Sequence, residues 1–276
     1  MPLVGSELLI AARAQRTGVG AFNVIQLEHA EALVAGAEAA HSPVILQISQ
    51  NAARYHRGLA PIGLATLRIA RNAVVPVIVH LDHATDETLI DEAIALGFTS
   101  VMYDGATLSY AENRARTAAI VDRAHVAGVW VEAELGEVGG KDGAHAPGVK
   151  TDPVDAAAFV AATGVDALAI AVGSSHAMTE RTAAVDLDRI AEIAAAVSIP
   201  LVLHGSSGIP DDAIAAGVLA GLTKINVSTH LNKVFTAALR DHLAADLGIV
   251  DPRKYLGAAR EALATEVTRL IGVIRG

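Results

Sequence analysis

Residues 76–104 read PVIVHLDHATDETLIDEAIALGFTSVMYD, and the fold turns on this stretch. It opens with a β-branched run, PVIVHLD (76–82), passes through a segment of helical length at 86–96, and closes with a second short run, SVMYD (100–104). Near-continuous apolar runs of this kind suit strands of a parallel sheet covered on both faces. The intervening helical segment is what a parallel crossover needs.

The unit repeats in both directions. Upstream lie GAFNV (20–24) and PVILQIS (43–49). Downstream lie VWVEAEL (129–135), DALAIAV (166–172), PLVLHG (200–205) and TKINV (223–227). Between them run Ala-rich stretches at 27–40, 61–73, 109–127, 153–163, 187–197, 210–220 and 228–246. Eight strand–helix units in about 250 residues predict an α/β fold of the (β/α)₈ barrel type, with a doubly wound open sheet as the alternative. The tail, 251–274, begins DPRKYLGAAREAL. Asp251 suits an N-cap and Pro252 a first helical position, so a further helix follows the eighth unit. Neither a linker nor a regular repeat interrupts the chain, and residues 1–276 read as one domain.

Composition narrows the function. Apolar residues make up 52 % of the chain, enough for a sizeable core, yet no apolar run approaches the roughly 18 residues of a membrane span. The N-terminus lacks a basic start, an apolar block and a cleavage site, which points to a cytoplasmic protein. The absence of cysteine excludes disulfides, thiolate metal sites and cysteine nucleophiles. A net charge of −9 without a basic cluster argues against nucleic acid. An anionic small substrate remains compatible, because backbone N–H groups at helix starts hold phosphate in acidic proteins too.

Barrel enzymes build their sites at the C-terminal ends of the strands. Those positions here carry Asn23, Ser49, His80, Asp82, His83, Asp104, Glu132, Glu134, His176, His204 and Asn226, with Ser228 and Thr229 opening the next helix. A single histidine at a strand end is more often a hydrogen-bonding group than a ligand. Three of them at one end of different strands, His83, His176 and His204, match a catalytic zinc arrangement of three imidazoles and an open position. Asp104 and Glu134 add carboxylates. Glu132 and Glu134 share a face of their strand, and the alternative for one of them is half of an ion pair inside the barrel. HGSSG (204–208) precedes one helix and NVST (226–229) opens another. Each could be ordinary capping; together, after strands 7 and 8, they suit phosphate.

With these residues in view, the chain resembles the class II, metal-dependent ketose-bisphosphate aldolases, the fructose- and tagatose-bisphosphate aldolase family. The resemblance is carried by HLDHATD (80–86), SVMYDGA (100–106), VEAELGEVGG (131–140), TGVDALAIAVGSSH (163–176), PLVLHGSSGIP (200–210), KINVST (224–229) and DPRKYLGAARE (251–261). It implies reversible cleavage of fructose 1,6-bisphosphate, or of tagatose 1,6-bisphosphate, to two triose phosphates. It also implies zinc on His83, His176 and His204, an alternative metal position using Asp104 and Glu134, and a monovalent cation (Na⁺ or K⁺) nearby. Asp82 matches the family's general acid/base, and Asn23 and Asn226 its substrate-contacting asparagines. Gly205, Ser207, Ser228 and Thr229 match its phosphate binders, beside Ser49 and Ser206. Arg253 matches an arginine that reaches the distal phosphate from a neighbouring subunit, so a homodimer or homotetramer is implied.

Three positions depart from the family's pattern. Ala177 replaces a glycine, Asp142 is the nearest match to a mobile-loop glutamate that moves a proton at the nucleophilic carbon, and His230 stands where glutamate is common. Two rivals accompany the reading. One is a Schiff-base aldolase built on Lys224, which leaves the histidines unexplained. The other is a sugar-phosphate-binding barrel without catalysis.

Overall fold

The computed structural model describes residues 3–135, 150–174 and 181–276. Eight strands form a closed, all-parallel barrel in chain order, with the first paired to the last. They are β1 (Val19–Asn23), β2 (Val44–Ser49), β3 (Val77–Ala84), β4 (Ser100–Tyr103), β5 (Trp130–Leu135), β6 (Ala167–Ile170), β7 (Leu201–Leu203) and β8 (Leu222–Val227). Around them lie α1 (Glu7–Gln15), α2 (Leu27–Ala39), α3 (Gln50–Tyr55), α4 (Ala60–Asn72), α5 (Glu87–Leu96), α6 (Tyr110–Val126), α7 (Pro153–Thr163), α8 (Leu187–Ala196), α9 (Asp211–Ala220), α10 (Thr229–Ala245) and α11 (Pro252–Arg275). The (β/α)₈ expectation and the extra C-terminal helix are both met, and the open sheet is excluded by closure. Two helices, α1 and α3, were not anticipated. Among the described residues no helix is long and apolar enough to cross a membrane.

Local chemistry explains the helix boundaries. Asp86 caps α5 by accepting from Thr88 N at 2.9 Å, and Gly97 ends that helix at φ +93°, where a Cβ would be strained. Ser109 and Glu112 form a reciprocal capping box on α6. Asp251 caps α11 ahead of Pro252, as the sequence predicts.

Each strand sends alternate residues to opposite faces. The outward set, such as Leu46, Val79, Val131 and Leu203, packs against the helices in one continuous core. The inward set changes character along the strand. On β2 it runs Ile45, Gln47, Ser49; on β3, Ile78, His80, Asp82; on β5, Trp130, Glu132, Glu134. The apolar start of each series joins Val19, Ala21, Ala167, Ala169 and Val202 in a second, separate cluster. Leu9 and Ala12 of α1 complete that cluster, so α1 seals the N-terminal end of the barrel. The polar ends of the same series open at the other end.

Candidate active site

The mouth is organised by a break in β3. Consecutive strand residues ordinarily face opposite ways. The β3–β4 register shifts between Leu81 and Ala84, and His83 takes φ +50°. A left-handed backbone at a non-glycine residue costs on the order of 1–3 kcal/mol. The irregularity brings neighbours Asp82 and His83 into one cluster with His204.

Asp82 is buried and held from two sides. Asn23 Nδ2 donates to its Oδ2, and Asn226 Nδ2 to its Oδ1, each at 3.4 Å. Asn23 is fixed in turn by Gln47 Nε2, which donates to Asn23 Oδ1 at 2.7 Å. The two amides come from β1 and β8, neighbours across the barrel seam, so closure of the sheet aims the carboxylate.

His83 pairs its Nδ1 with Asp104 Oδ2 at 2.9 Å, and its Nε2 lies 4.0 Å from Asp82 Oδ1. The His83 and His204 rings meet edge to face, with centroids 4.4 Å apart. His204 donates from Nε2 to Glu132 Oε1 at 2.9 Å. Its Nδ1 then lies 3.4 Å from Glu134 Oε2. With the His204 ring neutral both of those atoms are acceptors, and the arrangement then suits a cation beside them. Donor atoms from Asp82, His83 and His204, and from His83, Asp104 and Glu134, fall within 4.8 Å of one another. Imidazole and carboxylate donors of this kind suit zinc or a similar borderline divalent ion. The donor set therefore fits the metal that the sequence implies.

One layer deeper, Glu132 Oε2 accepts from Lys224 Nζ at 2.7 Å. Glu132 is thus the half of the pair that lies inside the barrel, and Glu134 the half at the mouth. Lys224 is committed to this ion pair, which removes the sequence ground for a Schiff-base nucleophile. His80 sits beside it, 3.4 Å from Lys224 Nζ through Nε2 and 2.5 Å from Ser100 Oγ through Nδ1. Burial, reinforced by the Lys224 charge, holds the His80 imidazole well below the usual histidine range.

The Gly/Ser stretches lie after β7 and β8. Gly205 adopts φ +67° and leads into a short 3₁₀ turn, Ser206–Gly208. Ser206 is buried and its hydroxyl donates to the Asn226 carbonyl, tying the loop to β8. Ser207 Oγ accepts from His230 N at 3.2 Å. Ser228 occupies the N-cap of α10 yet makes no side-chain cap bond among the described residues, and Thr229 is the first residue of that helix. Ser207 thus satisfies a first-turn N–H of α10, whereas capping does not account for Ser228's place at the mouth.

Ser49 behaves otherwise. Its register pairs it with Asp82, but its hydroxyl caps α3 by accepting from Ala52 N at 3.1 Å. Arg253 does not join the cluster within one chain: its exposed guanidinium is bonded by Asp251, with Nη2 at 2.8 Å from Oδ2. His176 and Asp142, with Ala177, lie outside the described residues. Sequence reasoning passed over Gln47, and left His80 and Lys224 without a structural role. Stepping back by two from Ser49, Asp82 and Asn226 along their strands reaches all three.

The comparisons agree with this geometry. The family model described as fructose-bisphosphate aldolase class-II matches residues 5–275. The chain is 41 % identical over 272 residues to a fructose-bisphosphate aldolase of Staphylococcus aureus, covering 97 % of this chain and 95 % of the other. A fructose-bisphosphate aldolase of Staphylococcus epidermidis is 40 % identical over the same shares. Among solved structures, the YdjI aldolase of Escherichia coli superposes with a TM-score of 0.85 at 29 % identity, covering 99 % of this chain and 97 % of that one. A barrel whose mouth gathers these histidines and carboxylates, matched from end to end by such relatives, belongs to the class-II fructose-bisphosphate aldolase family of lyases.

Proposed function

We propose that residues 1–276 act as one barrel domain, in the cytoplasm, that reversibly cleaves fructose 1,6-bisphosphate to dihydroxyacetone phosphate and glyceraldehyde 3-phosphate. The observation that carries the reading is the Asp82 carboxylate, buried between two asparagine amides and clustered with His83 and His204 at the barrel mouth. Members of this family depend on zinc, and His83, His176 and His204 would hold it here, with Asp104 and Glu134 as an alternative position. A bound zinc supplies Lewis-acid stabilisation of the negative charge that develops on the ketone oxygen.

The chain's own residues do the rest. Asp82 takes the C4 hydroxyl proton as the C3–C4 bond breaks and returns it in condensation. Asn23 and Asn226 hold that carboxylate in line, which limits its motion during transfer. Gly205, Ser206, Ser207, Ser228 and Thr229 take the phosphate of the three-carbon fragment through backbone N–H groups and hydroxyls. Ser206 contributes through its backbone, since its hydroxyl serves Asn226. Ser49 shapes the rim by capping α3, and Arg253 serves the distal phosphate of a second copy in a homodimer or homotetramer. Asp142 is assigned the proton at the nucleophilic carbon. A monovalent cation beside the metal belongs to the same reading.

The test is metal removal with a coupled triose-phosphate assay on fructose and tagatose bisphosphates. A chelator should abolish cleavage, and Zn²⁺ or Co²⁺ should restore it, fructose bisphosphate being the better substrate. A metal-free protein that keeps its rate overturns the ligand assignment. A faster tagatose reaction moves the substrate to the C4 epimer. No turnover of either, with phosphate still bound, favours the non-catalytic barrel.

A further inference from the structure

The five polar side chains beneath the mouth form one directed chain of hydrogen bonds. Ser100, His80, Lys224, Glu132 and His204 are each 0 % exposed and come from five different strands or their ends. Chemistry fixes the direction of each bond. A lysine ammonium can only donate, and a carboxylate can only accept. Lys224 therefore donates to Glu132 Oε2 at 2.7 Å and to His80 Nε2 at 3.4 Å. His80 must then carry its proton on Nδ1, where it donates to Ser100 Oγ. Glu132 Oε1 accepts from His204, so His204 must carry its proton on Nε2. In the neutral ring, the form that ligates a metal, that tautomer puts the His204 lone pair on Nδ1, the nitrogen beside Glu134.

We propose that Lys224 and Glu132 are positioning residues that lock the His204 tautomer and so set the affinity of the barrel for its divalent metal. The inference rests on the metal reading of His204 given above. Lys224 sits two bonds from the metal donor and touches neither substrate nor ion. Its task is to anchor one oxygen of Glu132 so that the other stays aimed at His204 Nε2. Carboxylates that accept from the distal nitrogen of a ligating histidine typically change metal affinity about 10–100-fold when lost. The conservative replacement is informative here. A glutamine at position 132 keeps the shape but can donate as well as accept, so it no longer forbids the other His204 tautomer. Removing Lys224 alone would leave a buried carboxylate unpaired. The double variant Glu132→Gln with Lys224→Met removes both charges together and keeps the interior neutral.

Two measurements on the full chain test this. Zinc affinity at fixed pH is read by competition with a chromophoric chelator, from the zinc-loaded protein. The tautomer is read from long-range ¹H–¹⁵N spectra of histidine-labelled, metal-stripped protein. Wild type should show His204 protonated on Nε2. The double variant and Glu132→Gln should mix the two tautomers and bind zinc about 10–100-fold more weakly, with thermal melting still cooperative. Retention of the Nε2–H tautomer and of wild-type zinc affinity in the double variant overturns the proposal. Failure of the wild type itself to bind zinc overturns the metal reading, and this proposal with it. Zinc binding by wild type and variants alike overturns only the relay.

Discussion

The two halves of the barrel interior are equally buried and chemically opposite. Toward the N-terminal end, Ile45, Ile78, Trp130 and Val202 pack over α1 with at most a few per cent of their surface exposed. One step further toward the mouth, His80, Glu132 and, on β8, Lys224 are just as inaccessible. Burying apolar surface contributes roughly 25 cal/mol per Å². Burying an ion pair recovers little more than its desolvation cost and often less than apolar residues of the same volume would. The upper half therefore gives up stability that the lower half supplies. A fold departs from its own packing rule in this way where it holds chemistry.

The comparison makes opposite demands on the two halves. In the upper half, Asp82→Ala should lower kcat by about 10²–10⁴-fold, the usual worth of a positioned proton-transfer group. Its melting temperature should change little, because losing a desolvated carboxylate offsets leaving the Asn23 and Asn226 donors without their acceptor. An unchanged rate would remove Asp82 from the chemistry; a large loss of stability would make it a structural residue.

In the lower half the pattern should invert. Ile78 is fully buried two residues before His80 on β3. Ile78→Ala should cost about 2–5 kcal/mol in urea unfolding, the range for truncating a packed aliphatic core residue. The kcat of the folded fraction should stay that of wild type. If the rate falls while stability does not, the two halves are not separable and the lower cluster is part of the site.

How much of this was legible beforehand follows from which signals are local. The strands showed because each carries a near-continuous apolar run, and the helices because they are Ala-rich stretches of helical length, with a local cap at Asp251 marking the last of them. Helix α1 was not seen because its buried residues, Leu9 and Ala12, gain their meaning only once the barrel closes over them. Helix α3 has six residues, too few for a period to register, and starts directly on Ser49. The clustering of Asp82, His83, His204, Asp104 and Glu134 was legible because strand ends of a barrel converge by construction. The bulge that turns Asp82 and His83 inward together was not, since nothing in HLDHA marks a left-handed histidine. The Lys224–Glu132–His204 chain was legible only in part: a barrel-interior ion pair was expected of Glu132 or Glu134, but neither of its partners was. Spacing shows which residues share a face of one strand, but not which of them meet across the lumen.

The smallest expected effect carries the comparison outside the barrel. His29, on α2, is a buried imidazole 3 % exposed, stacked on Phe235 of α10 with centroids 4.7 Å apart. Unlike His80, it has no hydrogen-bond partner on either ring nitrogen among the described residues. Burial lowers its pKa from 6.5 to about 4. The folded pKa lies below the unfolded one, so the unfolded chain takes up the proton first. Stability from the neutral ring is fully present above pH 6.5 and is lost progressively as pH falls toward 4. At pH 5 the loss comes to about 2 kcal/mol. His29→Leu keeps an apolar side chain against Phe235 and removes the titration. Urea unfolding at pH 7 and pH 5 should show a drop for wild type that exceeds the variant's by about 2 kcal/mol, other acid-sensitive pairs cancelling between the two. Equal drops would mean that the ring is hydrated or paired in solution. In that event a buried histidine outside the barrel is satisfied as fully as those inside it, and partnered polarity no longer sets the upper interior apart.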